Sequence, residues 1–526
     1  MGADSSSSRA SLATRVRRVA AFLRIAAPAF LLALTAGCAS VPDLDRYMLH
    51  TQRVRIEGAK GTLSAAQTKQ ILADLDKRSP QSGILERHVA IEEALSGHPL
   101  TAGNRATLLQ DGRQTYPQML AAIRGAHSSV NMEMYIFEDD AVGQAFAAAL
   151  VERAKAGIPV HLLYDSAGCH NTPKEFFKAM SDQGVHVAEY NPLTAEQFLK
   201  KGFELQRRDH RKVLVVDGRV AFLGGINVSG VYGSVATASK SKRTSDSAAP
   251  GSGVTAASPA SNKDAKPKSD SAAPGSSSGS GSSKPVNHFG DDVPFEDRPW
   301  HDLQVKLEGP VVADVQRAFI HQWSKSSKEA LDEARLLPQL TAQGHEVVRL
   351  LESAAGEEPN RLYVALVSAI DNAETEVIVM NAYFVPHPDL MAALERAAKR
   401  GVDVKLILPA KSDNPLVYYA GRSYYEDLLE AGVKIFEREA RFVHAKSAMV
   451  DSVWCTIGST NLDWRSLVYN DELNAVVLSP DFAKQMRGVF DQDFAISHQL
   501  TSESWSKRPL TDRIKEQGAR LWAMLL

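Results

Sequence analysis

Two short stretches of the sequence carry the same chemically active side chains at the same spacing. In each, a histidine is followed two, seven and seventeen residues later by a lysine, an aspartate and an asparagine: His210, Lys212, Asp217 and Asn227, then His444, Lys446, Asp451 and Asn461. One stretch of this kind can arise by chance. Two stretches with identical offsets indicate a duplicated functional site.

These residue types suit an attack on a phosphodiester, an anion that resists nucleophiles. We expect no metal and no cofactor, so the protein must itself supply a nucleophile, a proton donor and fixed positive charge. One neutral histidine can attack phosphorus and form a phosphohistidine, while the other, protonated, donates to the departing alkoxide. The phosphoryl oxygens would be held by the lysines and asparagines of both stretches: Lys212, Lys446, Asn227 and Asn461.

A strand is expected to present each histidine and lysine together, because side chains two residues apart project from the same face. Gly224 and Gly225 precede Asn227, and Gly458 precedes Asn461. Glycine at such a turn lets the backbone approach a ligand closely. Each strand and its turn should therefore deliver one set of side chains to one pocket.

The segments around the two stretches repeat one order of strands and helices. In the first half, strands are predicted at 130–137, 158–164 and 185–190, with a helix after each of the first two. In the second half, strands are predicted at 377–384, 402–408 and 433–436, with helices at 390–398 and 424–431. Glycines typical of helix C-caps follow the helices: Gly157, Gly184, Gly401 and Gly432. The pattern predicts an α/β fold whose two halves are related by a pseudo-twofold axis.

Composition limits the function classes. Of the 526 residues 44% are hydrophobic, and 60 basic against 62 acidic residues leave a formal net charge of −2. This balance provides no global basic field, so no stable nucleic-acid partner is expected. Three cysteines cannot by themselves form a disulfide framework or a closed structural zinc site.

Composition also divides the chain. Residues 235–286 are dominated by Ser, Ala, Gly, Pro and Lys and contain the octapeptide SDSAAPGS twice, so we expect a disordered insertion there. A polar stretch at 344–359 is expected to separate the two halves. The predicted domains are an N-terminal appendage (38–100), a first half (101–345) and a second half (346–526).

The first 37 residues are predicted to be an export signal. A basic leader precedes an apolar run at 25–36 that is too short to span a membrane. The run ends in LTAGC, which resembles the lipobox of bacterial lipoproteins. The resemblance implies lipidation of Cys38 and, because Ala39 follows it, anchoring in the outer membrane facing the periplasm. The alternative is an ordinary signal peptide followed by an incidental cysteine.

The paired motifs resemble those of the phospholipase D superfamily, and longer runs of sequence look like the cardiolipin synthase branch within it. These runs are RRDHRKVLVVDGRVAFLGGIN, WHDLQVKLEGPVV, NAYFVP and HAKSAMVDSVWCTIGSTNLDWRS. Apart from the insertion, the resemblance extends from about Thr107 to Phe490. It implies two similar α/β/α sandwich halves of the phospholipase D type, with one active site shared across the pseudo-twofold axis.

The resemblance also assigns roles. His210 would be the nucleophile and His444 the acid and then the base, although the near-symmetry of the sequence leaves the reverse assignment open. An acidic residue downstream of the opposite motif would orient each ring: Glu472 for His210 and Asp302 for His444. For the motif aspartates, Asp217 and Asp451, a structural ion pair or turn is expected instead.

Three functions remain open at this stage. The first is phosphatidyl transfer from a phospholipid to the glycerol hydroxyl of phosphatidylglycerol, which yields cardiolipin. The second is hydrolysis of the same intermediate, as in a phospholipase D or, with a different groove, a nuclease. The third is a non-catalytic binding protein of the cell envelope. The expected partners are a phospholipid substrate and a membrane surface, and the expected state is a monomer with pseudo-dimeric halves.

Overall fold

The computed structural model of the chain describes residues 52–78, 83–194, 196, 206–233, 298–355 and 360–523. The predicted signal peptide (1–37), the lipidation site Cys38 and the insertion (235–286) lie outside these residues. The domain boundaries proposed from the sequence therefore stay a prediction.

The described residues form strands and helices that alternate along much of the chain. The strands are β1 (Ile56–Gly58), β2 (Gly61–Thr62), β3 (Leu100–Gln110), β4 (Val130–Met134), β5 (Val160–Asp165), β6 (His186–Tyr190), β7 (Arg208–Asp209), β8 (Lys212–Val216), β9 (Val220–Gly224), β10 (Leu303–Glu308), β11 (Glu346–Ser353), β12 (Glu376–Asn381), β13 (Asp403–Pro409), β14 (Lys434–Arg438), β15 (Lys446–Val450), β16 (Trp454–Gly458), β17 (Asn470–Leu478) and β18 (Ser497–Leu500). The helices are α1 (Ala65–Arg78), α2 (Ile84–Leu95), α3 (Asp111–Arg124), α4 (Ala141–Lys155), α5 (Lys174–Ser181), α6 (Val312–Ser326), α7 (Glu333–Leu336), α8 (Arg361–Asp371), α9 (Pro388–Lys399), α10 (Pro415–Arg422), α11 (Tyr425–Glu430), α12 (Trp464–Val468), α13 (Pro480–Ala495), α14 (Ser502–Ser506) and α15 (Leu510–Arg520).

The two halves contain sheets with the same strand order. In the first half the order is β6, β5, β4, β8, β9, β10, β3, and the pairs among β4, β5 and β6 are parallel. In the second half it is β14, β13, β12, β15, β16, β17, β11, again with three parallel strands at one side. Strand β3 joins the sheets, because its first residues pair with β11 and its remainder pairs with β10. The duplicated α/β fold predicted from the sequence is confirmed.

The helices begin and end where the sequence pattern indicates. Gly157, Gly184, Gly401 and Gly432 all have positive φ, between 80° and 96°, as expected for residues that stop a helix before a strand. Each predicted strand overlaps an observed one. The helix predicted at 424–431 is observed as α11, with a separate helix, α10, directly before it.

The two sheets share a core through their facing sides. Buried apolar side chains of β8, β9 and β10 lie in one cluster with those of β12, β15, β16 and β17. Side chains of α6 and α13 complete this cluster. Helices α3, α4 and α5 cover the opposite face of the first sheet, while α8 and α9 cover that of the second. The shared core fixes the two motif strands, β8 and β15, relative to each other.

The expectation of a polar stretch at 344–359 is wrong. Residues Glu346–Ser353 form β11, and Val347, Val348, Leu350 and Leu351 are buried. The charged residue between them, Arg349, is also buried and pairs with Glu92 and Glu93 of α2. A buried arginine with two carboxylate partners is compatible with a core strand.

No helix among the described residues is long and apolar enough to cross a membrane.

Candidate active site

Both motif histidines open onto one cavity of about 420 Å³ between the halves. Its lining comes from loops and strand ends of both halves and from helices α10 and α12: Tyr135, Ile136, His210, Asn227 and Trp300 from the first half, and Tyr383, Asp413, Asn414, Val417, His444, Asn461, Asp463, Arg465 and Asn470 from the second. Tyr135 and Ile136 follow the carboxyl end of β4. In sheets with parallel strands, ligand sites commonly form at this end.

His210 is held by the second half of the chain. Its Nδ1 lies 3.0 and 3.1 Å from the two carboxylate oxygens of Glu472, and both side chains are buried. The backbone supports this contact, because β7 pairs in parallel with the start of β17 and His210 N donates to the carbonyl of Asp471 at 3.0 Å. With Nδ1 donating to Glu472, Nε2 is the nitrogen left for a substrate.

His444 is held in the same way by the first half. Its Nδ1 lies 2.7 Å from Oδ2 of Asp302, and the other oxygen of Asp302 accepts from Leu303 N at 2.7 Å. A β-bridge between His301 and Val443 holds the two backbone segments together at this point, and His444 N donates to the carbonyl of His301 at 2.7 Å. The two histidine–carboxylate pairs are thus related by the pseudo-twofold axis.

The two carboxylates differ in what surrounds them. Glu472 accepts a 2.5 Å hydrogen bond from Ser459 Oγ and a 3.2 Å bond from the Asn470 amide. The residue equivalent to Ser459 is Gly225, where an added Cβ would lie 2.2 Å from a carboxylate oxygen of Asp302. The first motif therefore needs glycine where the second uses a serine hydroxyl.

The two carboxylates also differ in pKa. Burial raises the pKa of Glu472, but His210 beside it, then Lys212 and the Ser459 hydroxyl, outweigh burial and hold that pKa below its usual value. Burial raises the pKa of Asp302 to about 6, even though Lys446 nearby favours the charged form. Glu472 is the better stabilised anion of the two.

Both motif histidines are neutral at neutral pH. Burial lowers the pKa of His210 to about 4, against the opposing influence of Glu472. Burial, with Lys446, Lys212 and His210 contributing in that order, lowers the pKa of His444 well below its usual value. That these four groups influence one another electrostatically indicates a single shared site.

The motif lysines lie behind the histidines and are not among the residues that line the cavity. Lys212 Nζ donates to the carbonyl of His210, and Lys446 Nζ donates to the carbonyl of His444. Burial lowers the pKa of Lys212 to about 7 and that of Lys446 to about 8. Aromatic rings face both ammonium groups, with Tyr135 4.9 Å from Lys212 Nζ.

The motif asparagines line the cavity but have different partners. Asn227 donates to Tyr232 Oη at 2.7 Å and accepts from Ile136 N at 2.9 Å. Asn461 is also buried, and its Oδ1 has no hydrogen-bond partner among the described residues. A buried polar atom without a partner is costly unless a ligand or water satisfies it. Asn461 therefore offers a contact that a bound substrate can use.

The motif aspartates lie outside the cavity lining and fix turns. Asp217 accepts from three successive backbone amides, those of residues 127, 128 and 129, at 2.7–3.0 Å. Asp451 accepts in the same way from the amides of 374, 375 and 376 at 2.8–3.0 Å. Both have positive φ, 55° and 49°, which aspartate tolerates. Each joins the end of a motif strand to the loop before the neighbouring strand.

Several residues of the site lie outside the repeated motifs. Tyr232 connects the two motifs, because its hydroxyl contacts Asn227 and lies 3.4 Å from His444 Nδ1. The Trp300 ring is tilted against His444 with 5.0 Å between ring centroids. Arg465 and Asp463 also line the cavity. The duplication could not reveal these residues, since each occurs in one half only.

Comparison with known proteins agrees with this arrangement. The family described as "Cardiolipin synthase, PLD-like domain" matches residues 119–231 and 366–494, one segment in each half. The major cardiolipin synthase of Bacillus subtilis is 28% identical over 428 residues, which cover 81% of this chain and 76% of that protein. Cardiolipin synthase A of Pseudomonas fluorescens is 29% identical over 423 residues, covering 80% and 74%.

A solved structure shows the same fold. The crystal structure of phosphatidylserine synthase from Haemophilus influenzae is 12% identical and covers 83% of this chain and 99% of its own, with a TM-score of 0.56. Two similar α/β halves with paired histidine–lysine motifs at one cavity define an enzyme class that works on phosphodiesters. The chain belongs to the phospholipase D superfamily. Its relatives from Bacillus subtilis and Pseudomonas fluorescens are named cardiolipin synthases, and the matching family model describes that branch.

Proposed function

We propose that the protein is a phosphatidyltransferase that makes cardiolipin and glycerol from two molecules of phosphatidylglycerol. The observation that carries this proposal is the pair of buried histidines, each oriented by a carboxylate from the opposite half, that open onto one cavity. The names of the relatives supply the substrate class. Because one chain carries both motifs, a monomer holds a complete site.

In the first step, Nε2 of His210 attacks the phosphorus of one phosphatidylglycerol. An N–P bond forms and the bond between phosphorus and the glycerol oxygen breaks. His444, which gains a proton when the anionic phosphodiester enters beside it, donates that proton to the leaving glycerol oxygen. The ammonium groups of Lys212 and Lys446 lie behind the two histidines and stabilise the charge that develops on the phosphoryl oxygens.

In the second step, the free glycerol hydroxyl of another phosphatidylglycerol attacks the phosphatidyl-histidine. His444, now neutral, accepts the hydroxyl proton, the N–P bond breaks, and His210 is regenerated. The lower pKa of Glu472 favours His210 as the nucleophile, since an ionised carboxylate best stabilises the positive charge that a phosphohistidine ring carries. Asp302, with a pKa near 6, supports a ring that gains and loses a proton.

The proposal includes a location at a bilayer. Apolar side chains are exposed on and just beyond α15: Leu510 (70%), Ile514 (64%), Leu521 (71%) and Trp522 (40%). Helix α15 packs against α10, which contributes Val417 to the cavity lining. A surface of this kind can rest in the interface of a membrane that supplies the substrate. A lipid on Cys38 would add a second attachment, in the outer membrane facing the periplasm.

The test incubates the purified protein with labelled phosphatidylglycerol in vesicles and separates the lipid products. We expect cardiolipin together with one glycerol for each cardiolipin, and no product from His210→Asn. The matched control is His345→Gln, an exposed histidine away from the site, which should keep full activity. Phosphatidic acid as the main product would favour a phospholipase D, and the absence of any product would favour a binding protein.

A further inference from the structure

A second cluster of potential ligands lies outside the catalytic cavity. His161 of β5, His186 of β6 and Glu329, in the loop after α6, each offer one ligand atom, and these atoms lie within 4.8 Å of one another. Within the part of the chain that the structure describes, this is the only group of three or more His, Cys, Asp or Glu residues that meets this distance.

The distances in the cluster fit a tetrahedral ion. His186 Nδ1 lies 3.0 Å from Oε2 of Glu329, and His161 Nε2 lies 3.9 Å from Oε1. For a zinc ion with nitrogen and oxygen ligands at about 2.0–2.1 Å, tetrahedral geometry places neighbouring ligand atoms about 3.3 Å apart. The two observed distances involve different oxygens of the Glu329 carboxylate, and the three ligand atoms lie within 4.8 Å of one another. Rotation of the partly exposed His186 and Glu329 side chains would draw one oxygen and both imidazole nitrogens together around an ion.

A buried hydrogen-bond chain already orients His161. Asn131 donates from Nδ2 to Gln316 Oε1 at 2.9 Å, which turns its own Oδ1 toward His161 Nδ1 at 2.8 Å. The Nδ1 atom is therefore the donor, and Nε2 carries the lone pair that faces Glu329. Its 3.9 Å separation from the Glu329 oxygen is longer than a hydrogen bond, and both atoms are acceptors. Metal-binding histidines are commonly held by a partner on the other ring nitrogen in this way.

The third ligand is also positioned by its surroundings. Trp323 of α6 donates from Nε1 to the backbone carbonyl of Glu329 at 3.2 Å, and its ring packs edge-on against His161 with 5.2 Å between centroids. The Glu329 amide donates to Ser327 Oγ at 3.1 Å. These contacts hold the loop over the two strands, so little ordering would be needed when an ion binds.

We propose that His161, His186 and Glu329 bind a zinc ion. Two imidazoles and one carboxylate are a ligand set that zinc accepts, with water in the fourth position. His161 and His186 lie at the amino ends of the parallel strands β5 and β6, whereas the catalytic cavity lies past the carboxyl end of β4. The ion would join two strands of the first sheet to the loop that follows α6.

The experiment measures zinc binding to the whole mature chain, without a histidine tag, after removal of metals by dialysis. We expect one zinc ion per chain, by competition with a chromophoric chelator, and a thermal midpoint that rises with zinc concentration. His186→Gln and Glu329→Gln should each weaken binding by a factor of about ten or more and abolish the rise. His186, Glu329 and His345, the residue changed in the matched control, are all partly or largely exposed. The three variants should therefore fold.

The control variant His345→Gln should bind zinc as the parent does. Equal zinc affinity in Glu329→Gln and His345→Gln would overturn the proposal, and so would the absence of binding at about 100 μM zinc. His210→Asn distinguishes the catalytic site from the proposed one. If zinc binding is lost in His210→Asn but kept in Glu329→Gln, the ion lies at the catalytic histidines and the proposal is wrong.

Discussion

Each motif histidine depends on a carboxylate that the other half of the chain supplies. Glu472 and Asp302 set which ring nitrogen carries the proton, and thus leave Nε2 facing the cavity. An amide at either position could donate to the ring and favour the wrong tautomer. These two residues orient the histidines and, in the proposed mechanism, do not themselves contact phosphorus.

Replacement of either carboxylate by its amide should therefore lower turnover while the protein stays folded. We expect Glu472→Gln and Asp302→Asn to reduce kcat by roughly 10²- to 10⁴-fold with little change in KM, by analogy with the loss of the orienting acid in other histidine-dependent enzymes. Steady-state kinetics and thermal unfolding measure the two effects. Glu395→Gln, a change at a partly exposed residue of α9, is the matched control. A kcat near that of the parent in both carboxylate variants would contradict the orienting role.

The pH dependence of kcat/KM follows from the charges of the groups in the free enzyme. As pH falls below about 6, Asp302 is protonated and no longer accepts from His444, and below about 4 His210 is protonated and cannot attack. As pH rises through about 7 and 8, Lys212 and Lys446 lose their positive charge. We expect a bell-shaped profile with its maximum between about pH 6 and 8.

The lysines provide a check on the alkaline limb. Lys212→Arg keeps a positive charge at all accessible pH values, so the alkaline limb should move from about pH 7 toward the pKa of Lys446, about 8, even if kcat falls. A profile that is flat from about pH 5 to 9 for the chemical step would contradict acid–base catalysis by this site.

Among the positions at which the two motif segments differ, one lies directly beside a carboxylate of the site. Gly225 directly follows β9 and Ser459 directly follows β16, as equivalent residues of the two halves. The Gly225→Ala side chain would collide with the Asp302 carboxylate and displace it from His444. We expect a loss of about tenfold or more in kcat, measured beside Gly488→Ala of α13, where an added Cβ meets no atom within 4 Å. Unchanged activity in Gly225→Ala would show that Asp302 is not held in place by this turn.

The motif aspartates act on stability instead. Burial raises the pKa of Asp217, but three backbone amides and Ser128 outweigh burial and lower that pKa overall. Its stabilising effect is therefore present above the unfolded pKa of about 4 and is lost as pH falls through the lower folded value. We expect Asp217→Ala to lower the free energy of unfolding by roughly 1–3 kcal/mol at neutral pH.

Asp217→Asn should be milder, because it keeps one acceptor oxygen and the tolerance for positive φ. Urea unfolding at pH 7 and pH 3 measures both variants, and their difference from the parent should shrink at the lower pH. If kcat per folded molecule drops to the level of a histidine variant, Asp217 has a role in the reaction and the structural account is wrong.

Repetition explains which elements could be predicted from the sequence. Strands and helices that occur twice could be predicted because the pattern in each half supports the assignment in the other, and because a glycine follows each repeated helix. Strand β11 was missed because a buried Arg349 made its sequence look polar, and its partners Glu92 and Glu93 are more than 250 residues away in the chain. The pairing of β7 with β17 could not be foreseen either, since it depends on how the halves meet.

Repetition also explains which residues of the site could be predicted from the sequence. Histidines, lysines and asparagines were identified by their matching offsets, and the two carboxylates by resemblance to a family. Tyr232, Trp300 and Arg465 occur once, without a repeated context, and only the three-dimensional arrangement brings them to the cavity. The lysines are placed behind the histidines, a detail that alternation along a strand does not specify.

At the scale of the whole molecule, the account requires two distant segments to act on one phosphorus. The halves exchange backbone and side-chain hydrogen bonds at both motifs, so the site exists only when they are assembled. Neither half contains a complete histidine–carboxylate pair. The proposed intermediate is therefore a single phosphatidyl group on one histidine per chain.

Trapping this intermediate tests the account most directly. With a phosphatidyl ester of p-nitrophenol labelled at phosphorus, the leaving group departs without a proton, so His444→Asn should still form the phosphohistidine but fail to pass it to an acceptor. We predict one labelled phosphoryl group per chain, located on His210 by mass spectrometry, and none in His210→Asn. Two labels per chain, or full labelling of a protein in which both histidines are replaced, would contradict the claim that the two rings serve one phosphorus.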